Sequence, residues 1–355
     1  MQSQNTNHRG RGAQDNPDNR FHTLTRAGVD DGWNSGDDGP PLTTQLFVDK
    51  SRTVLVYNKS PDVPFDRSIN PYRGCEHGCV YCFARPTHAY LDCSPGLDFE
   101  SRIFYKPEAA RLLRKELSRP AYRCQPVALG VNTDAYQPAE RKLGITRSLL
   151  KVLQDFRHPV GLVTKSALVE RDIDLLGAMA AQRLVHVMVS VTTLDGRLAR
   201  AMEPRAATPR RRLEAIRRLS EAGIPVGVLV APVIPFLNDG EIEAILDEVR
   251  AAGALTAGYV MIRLPREVSG LFSDWLDQHR PGEAGRIMAR IRDMRGGRDY
   301  DAAFGQRMTG TGAFAELVRK RFEQAVKRQA FPGLPAFDCE AFGPPVESRP
   351  QLDLF

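Results

Sequence analysis

The sequence predicts an α/β protein whose core is a parallel sheet covered by helices. Five apolar runs, at 127–131, 160–164, 185–191, 226–230 and 259–262, are continuous rather than alternating, the pattern of strands buried on both faces. Segments with apolar residues at helical spacing separate them, which is the βα alternation of a parallel fold. The 355 residues suffice for one large barrel-type domain or for two smaller ones. Spacing alone leaves a barrel and a doubly wound sheet both open.

Residues 1–44 are polar and carry too little apolar surface to fold alone. A mostly disordered arm, docking in places, is expected there. Segments 45–48 and 53–57 read as a short β-hairpin leading into the core, and a further short strand is expected near Ser68-Ile69. A helix follows over 107–119, with Pro107 early and Leu112, Leu113 and Leu117 periodic. Thr146 is placed as the cap of a helix carrying Leu149, Leu150, Leu153 and Phe156. Thr208 and Pro209 have the chemistry of an N-cap and a first helical turn, and Gly223 that of a helix stop. The core thus runs over 45–265. Residues 266–333 read as a helical extension, with stripes at Leu271-Phe272, Trp275-Leu276, Ile287-Met288 and Phe314 to Val326. Residues 334–355 are Pro-rich and have linker composition.

No apolar run approaches the roughly 18 residues that span a bilayer. The first residues, Met1 to Asn5, lack the apolar core of a secretory signal. A cytoplasmic protein with reduced cysteines is expected. The net charge of +6 is a weak argument for an anionic partner. Arginines gather at 210–218, 286–298 and 319–328. They read first as solvated helix faces and second as a nucleic-acid-facing surface.

Three of the six cysteines, Cys75, Cys79 and Cys82, are spaced C-x3-C-x2-C. Crowded thiolates repel, so a bound cation is the usual reason to hold three together, and soft sulfur points to zinc or an iron–sulfur cluster. Structural zinc takes four ligands. The fourth would have to be His77, His88 or Cys93, none at a familiar zinc spacing. A cubic [4Fe–4S] cluster on three cysteines keeps one iron open. Gly74 and Gly78 suit a backbone wrapped closely around such a group. Cys93, Cys124 and Cys339 are scattered and read as free thiols.

This spacing, with aromatic Tyr81 before the last cysteine, resembles the cluster loop of the radical SAM enzymes. The wider stretch, Pro71-Tyr72-Arg73-Gly74-Cys75 through Tyr81-Cys82-Phe83-Ala84-Arg85, is similar to the branch that includes spore photoproduct lyase. The resemblance covers roughly residues 68–265. It implies a partial (β/α)6 TIM-type barrel, a [4Fe–4S] cluster held by Cys75, Cys79 and Cys82, and S-adenosylmethionine (SAM) chelated at the open iron. It further implies reductive SAM cleavage to a 5′-deoxyadenosyl radical that takes hydrogen from substrate, with a flavodoxin or ferredoxin-type electron donor.

Sites in such folds gather where strands end. After the second strand come Asn132-Thr133-Asp134, after the third Thr164-Lys165-Ser166, and in the fourth lies Ser190, followed by Thr192 and Thr193. Asp134, Ser166 and Thr192 have an alternative role as helix caps, whereas Lys165 beside a buried strand needs an anionic partner. The resemblance implies that Tyr81 packs on adenine and that Thr133, Lys165 and Ser190 hold SAM polar groups. It also implies a departure. The photolyase carries a hydrogen-returning cysteine shortly after the second strand, and here that stretch holds Asn132, Thr133 and Asp134. Repair of spore photoproduct is therefore not expected, and a catalytic residue beyond the cofactor set is not identified.

The last five residues, Gln351-Leu352-Asp353-Leu354-Phe355, resemble the pentapeptide by which bacterial proteins bind the replicative sliding clamp. Leu352, Leu354 and Phe355 would fill apolar pockets while Gln351 supplies hydrogen bonds. With the arginine clusters, this tail tilts the substrate expectation toward DNA. The competing readings are a clamp- or DNA-associated protein with a structural or redox-sensing cluster, and a zinc-stabilised scaffold.

Overall fold

The computed structural model describes residues 10–21 and 42–345. Its strands are β1 (Gln45–Val48), β2 (Leu55–Tyr57), β3 (Arg67–Ile69), β4 (Tyr72–Arg73), β5 (Arg102–Tyr105), β6 (Val127–Leu129), β7 (Val160–Thr164), β8 (Val185–Ser190), β9 (Val226–Val233) and β10 (Thr256–Met261). Helices α1 (Leu97–Ser101), α2 (Ala109–Leu117), α3 (Glu140–Leu143), α4 (Ile145–Asp155), α5 (Ile173–Ala180), α6 (Gly196–Met202), α7 (Pro209–Glu221) and α8 (Ile242–Ala251) alternate with them. After β10 follow α9 (Glu267–His279), α10 (Ala284–Asp293) and α11 (Gly312–Gln329).

The main sheet has the spatial order β10–β9–β8–β7–β6–β3–β2. From β3 to β10 each neighbouring pair is parallel, and β2 joins the β3 edge antiparallel. Parallel strands in chain order with helices outside make the partial (β/α)6 barrel. The apolar runs explain it: in β8, Val185, Val187 and Val189 are all buried, and the register sets Leu162 beside Val187 and Val189 beside Val228. Helix α7 starts as expected, with the Thr208 side chain accepting from the Arg211 N–H and Pro209 in the first turn.

The expectations for the first two strands, Thr146 and the arginine clusters need correction. Strands β1 and β2 do not form a hairpin. β1 pairs with β5 in a separate sheet of order β1–β5–β4, while β2 edges the barrel. Each has its own anchor: the Phe47 and Phe104 rings stack at 5.2 Å, and Glu116 accepts from the N–H groups of Val54 and Leu55. Thr146 does not cap α4. Gly144, at φ +63°, takes that position, and the Thr146 hydroxyl instead donates to the Ala135 carbonyl at 2.5 Å. The arginine clusters are also not uniformly solvated. Arg212 and Arg295 are buried, whereas Arg211, Arg218, Arg292, Arg319, Arg321 and Arg328 pair with carboxylates. Those pairs leave little unbalanced charge on these faces.

The open flank of the half-barrel is bridged by the segment between α10 and α11. Met261 at the end of β10 donates to the Met308 carbonyl at 2.8 Å. Gly305 N–H donates to Asp62 in the β2–β3 connection at 2.7 Å, and Arg307 pairs with the same carboxylate. One short segment therefore ties both edges of the sheet together.

Residues 334–345 are not a free linker. They run as a belt across the N-terminal ends of the strands. Phe337 stacks on His186 with centroids 3.9 Å apart, Asp338 N–H donates to the Arg183 carbonyl at 3.1 Å, and Gly343 N–H donates to the Phe156 carbonyl at 3.1 Å. The Phe342 ring packs 5.5 Å from Tyr122 and 5.4 Å from His158. His158 is buried. Its Nδ1 faces the Pro159 carbonyl at 2.9 Å and its Nε2 the Tyr122 hydroxyl at 2.7 Å, an arrangement satisfied by a neutral ring.

Two predictions follow from the belt. Phe342→Ala should lower unfolding free energy by about 2 kcal/mol, a partial-burial value, read by denaturant titration; an unchanged midpoint would mean that the belt contributes nothing. Burial lowers the folded-state pKa of His158 from 6.5 to about 4. The unfolded chain thus takes the proton first as pH falls. Stability should be intact above pH 6.5 and drain away down to about 4, and His158→Gln should flatten that slope in a pH series of melting curves.

Candidate active site

The cysteine loop leaves β4 through Gly74, whose φ of +80° and crowded surroundings exclude a side chain: a Cβ there would lie 2.9 Å from the Phe99 carbonyl oxygen. Cys75 N–H donates to that same carbonyl at 2.9 Å, and Cys82 N–H donates to the Cys79 carbonyl at 3.2 Å. Gln137 clasps the loop from the β6 side, accepting from Glu76 N–H at 2.9 Å and donating to the Gly74 carbonyl at 3.1 Å. Cys75 and Cys79 are buried and Cys82 half-buried.

Beneath the loop, Arg85 and Glu100 form an ion pair at 2.5 Å with neither side chain exposed. Arg85 also donates to the Cys79 carbonyl at 2.9 Å and to the Gly96 carbonyl at 3.0 Å. Glu100 accepts from Gly12 N–H at 2.9 Å and Ala13 N–H at 2.8 Å, and Arg11 reaches the Glu100 carbonyl at 2.6 Å. Residues 10–21, assigned from sequence to a disordered arm, thus lie against the cysteine loop. The approach is close enough that a Cβ on Gly12 would fall 1.7 Å from the Gly78 oxygen.

On the barrel side, Glu203 gathers the Tyr81 hydroxyl, the Thr192 hydroxyl at 2.6 Å and the Arg212 guanidinium. Arg212 continues to the Ser190 carbonyl at 3.0 Å. Thr192 therefore binds Glu203 rather than capping a helix, while Ser166 does cap, accepting from Leu168 N–H at 3.2 Å. Asp134 caps no helix beyond its turn with Tyr136 N–H. It accepts from the Thr164 hydroxyl at 2.8 Å and Lys165 N–H at 2.7 Å, and it meets His77 of the cysteine loop at 3.3 Å.

Lys165 extends along the mouth. Its ammonium donates to the Ser190 hydroxyl at 2.9 Å and lies 6.0 Å from the Tyr81 ring centre. No carboxylate pairs with it among the described residues. Its flank keeps some exposure, yet burial of the ammonium lowers its pKa, opposed by Cys79. Tyr81, Lys165 and Ser190 thus meet at one edge of the cysteine loop. Thr133 is buried, and its hydroxyl donates to the Tyr72 carbonyl at 2.7 Å, bracing the loop.

Burial raises the Cys75 thiol well above its usual value, with Asp134 and then the other two thiols adding to the shift. Burial also pushes up Cys79 and Cys82. Ligation as thiolates therefore requires a compensating cationic centre. Among the described residues, no three His, Cys, Asp or Glu side chains converge to hold a single metal ion. Three soft sulfurs held close enough to interact suit an iron–sulfur cluster. Of the candidate fourth zinc ligands, Cys93 bonds the Leu91 carbonyl at 3.3 Å, while His77 and His88 each engage one ring nitrogen, with Asp134 and with the Arg102 carbonyl at 3.0 Å. The donor set and its surroundings fit a [4Fe–4S] cluster.

Residues 69–249 match the sequence profile of the Radical SAM superfamily. The chain belongs to the radical SAM superfamily. An uncharacterised protein of Mycobacterium tuberculosis is 39% identical over 242 residues, covering 67% of this chain and 70% of that one. An uncharacterised protein of Methanocaldococcus jannaschii is 29% identical over 214 residues, covering 60% and 76%. Among solved structures, a spore photoproduct lyase complexed with dinucleoside spore photoproduct superposes with a TM-score of 0.55 at 16% identity, covering 81% of this chain and 80% of that one. That identity speaks to the fold alone. A radical SAM enzyme on a partial barrel is established by these findings. Among the described residues no helix is long and apolar enough to cross a membrane.

Glu100, Glu203 and Arg212 were not singled out from sequence as parts of the site. A buried arginine and a buried glutamate far apart in the chain carry no local signature; Arg212 in particular is hidden inside an arginine run. Glu100→Gln should leave the Arg85 guanidinium without its counter-charge and destabilise the protein by about 3 kcal/mol. Hydrogen exchange should then show residues 10–21 released, and retained protection there would argue against the clasp.

Proposed function

We propose that Cys75, Cys79 and Cys82 hold a [4Fe–4S] cluster, that Tyr81, Lys165 and Ser190 receive SAM with Thr133 positioning the loop, and that the substrate is DNA-related. When bound, the cluster and SAM supply a 5′-deoxyadenosyl radical that abstracts hydrogen from the substrate. The observation that carries the reading is the Lys165 ammonium, whose one hydrogen-bond partner among the described residues is the neutral Ser190 hydroxyl. A desolvated cation with no carboxylate in ion-pair contact, Asp134 acting on it only from a distance, is destabilising by itself, so the arrangement is suited to a ligand carboxylate. Ser190 orients that cation, accepting from it while donating to the Ala231 carbonyl at 3.0 Å. The Tyr81 hydroxyl is fixed by Glu203, which leaves the ring face as the surface offered to a flat group.

The DNA reading draws on the mouth and the tail. Arg263, just beyond β10, stacks 4.6 Å from the centre of Phe83, the residue after Cys82. Among the described residues its Nε has no hydrogen-bond partner and its Nη1 meets the Met308 sulfur at 3.4 Å. An unpaired guanidinium over an exposed ring suits an anionic substrate with aromatic character. The motif Gln351, Leu352, Leu354 and Phe355 lies outside the described residues; its proposed partner is the sliding clamp. A flavodoxin or ferredoxin-type protein is the proposed electron donor.

Anaerobic reconstitution tests the core. The wild-type chain should bind about four irons, the complement of a cubic cluster, and release 5′-deoxyadenosine when reduced with SAM. Alanine at Cys75, Cys79 or Cys82 should abolish iron loading and cleavage together. An iron-loaded protein inert toward SAM would leave the structural or redox-sensing cluster in its place. Lys165→Met should keep the iron, weaken SAM binding by about 30-fold, the value of one charge-assisted hydrogen bond, and raise the melting temperature of the SAM-free protein. Unchanged SAM affinity in that variant would remove Lys165 from the site. Deleting 351–355 should end co-elution with the clamp; persistence would reject that partner.

A further inference from the structure

Four aromatic side chains stand in solvent along the segments that border the cysteine loop, and each is backed by an arginine. Phe21, Phe83, Tyr90 and Phe304 are 55%, 40%, 69% and 58% exposed. The Arg20 guanidinium lies 4.6 Å from the Phe21 ring centre and 5.1 Å from that of Tyr90, and these two rings are 5.2 Å apart. Arg263 lies over Phe83 at 4.6 Å and Arg307 over Phe304 at 4.7 Å. Direct contacts join the pairs into one strip. Arg263 Nη1 meets the Met308 sulfur at 3.4 Å, and Met308 follows Arg307 in the chain. At the other end Arg20 donates to Glu267 at 2.9 Å and to the Pro86 carbonyl at 3.1 Å. Glu267 comes shortly after Arg263, and Pro86 shortly after Phe83. The strip therefore runs from the bridge over the open flank, past the Cys82 end of the cysteine loop, to the docked N-terminal segment.

We propose, resting on the DNA-related reading of this site, that the strip holds an unpaired DNA strand whose bases stack on the arginine-backed rings, with the base at Phe83 set beside Cys82. The balance of ring surface against charge decides for a single strand. Arg20 and Arg307 are paired with Glu267 and Asp62, so Arg263 is the member of the strip left to meet a phosphate. A duplex is held mainly by neutralising phosphates, and one free guanidinium supplies little of that. A duplex also keeps its base faces stacked on one another. An unpaired strand offers those faces, and stacking on aromatic side chains holds it without a large excess of charge. The guanidinium behind each ring adds to this, because it fixes the ring in place and draws on its π electrons from one side while the exposed part stays available.

The full chain with its cluster assembled is titrated anaerobically into fluorescein-labelled oligothymidylate and, at the same salt, into a labelled duplex of equal length, with anisotropy as the readout. The single strand should bind about tenfold more tightly. Tyr90→Leu and Phe304→Leu keep an apolar side chain at exposed positions but remove the π face. Each should weaken the single strand about tenfold and leave the duplex where it was, while Phe304→Trp should bind the single strand as the wild type does. The two positions lie on separate segments, so a folding defect in one variant leaves the other as the test, and the iron content of each shows whether the cysteine loop is intact. Equal or tighter binding of the duplex overturns the strip and leaves the DNA-related reading standing. Binding of neither overturns both. Unchanged single-strand affinity in the two leucine variants overturns the strip alone.

Discussion

Two buried ion pairs fasten the loop that carries Cys75, Cys79 and Cys82. Arg85–Glu100 lies beneath it with both side chains sealed from solvent, and Arg212–Glu203 ties it to the barrel through the Tyr81 hydroxyl. Pairs of this kind contribute little net stability, because desolvation offsets most of the attraction. Their value here is geometric. Each charged group also binds backbone or hydroxyl groups on a different segment: Arg85 takes the Cys79 and Gly96 carbonyls, Glu100 takes Gly12 and Ala13, and Arg212 takes the Ser190 carbonyl. Moving one segment breaks several charge-assisted bonds at once. A loop with two glycines at positive φ, Gly74 and Gly78, gains from this scaffold a rigidity that its own backbone lacks.

The barrel supplies the complementary half of the site. Asp134 after β6, Lys165 after β7 and Ser190 at the end of β8 come to one edge because parallel strands all end on the same side. Asp134 then links that edge to His77 of the cysteine loop. The lysine is left facing the mouth with a neutral partner. On the proposed reading, function and stability pull in opposite directions at this residue.

The parallel strands were legible because burial on both faces writes itself into unbroken runs such as Val185 to Val191. The cysteine spacing and the polar residues just after strands were legible for similarly local reasons. Long-range choices were not. Nothing near Gln45–Val48 says that it will pair with Arg102–Tyr105 instead of its neighbour, and nothing in the polar composition of residues 10–21 announces that Glu100 waits for their N–H groups. The belt misleads in the same way, since its prolines resemble a linker while Phe337 and Phe342 supply the contacts that dock it. Arg212 and Arg295 show the limit of reading charge runs: one member of each run turns inward to satisfy backbone carbonyls.

The bridge at Gly305, Arg307 and Met308 has an implication for the order of assembly. These residues leave the ribosome long after Cys75, Cys79 and Cys82, and after every strand of the barrel. Until they emerge, Asp62 and Met261 have no partner to join them, and the flank between the first and last strands stays unlatched. Closure of the barrel's two edges therefore waits on a segment made after all of its strands.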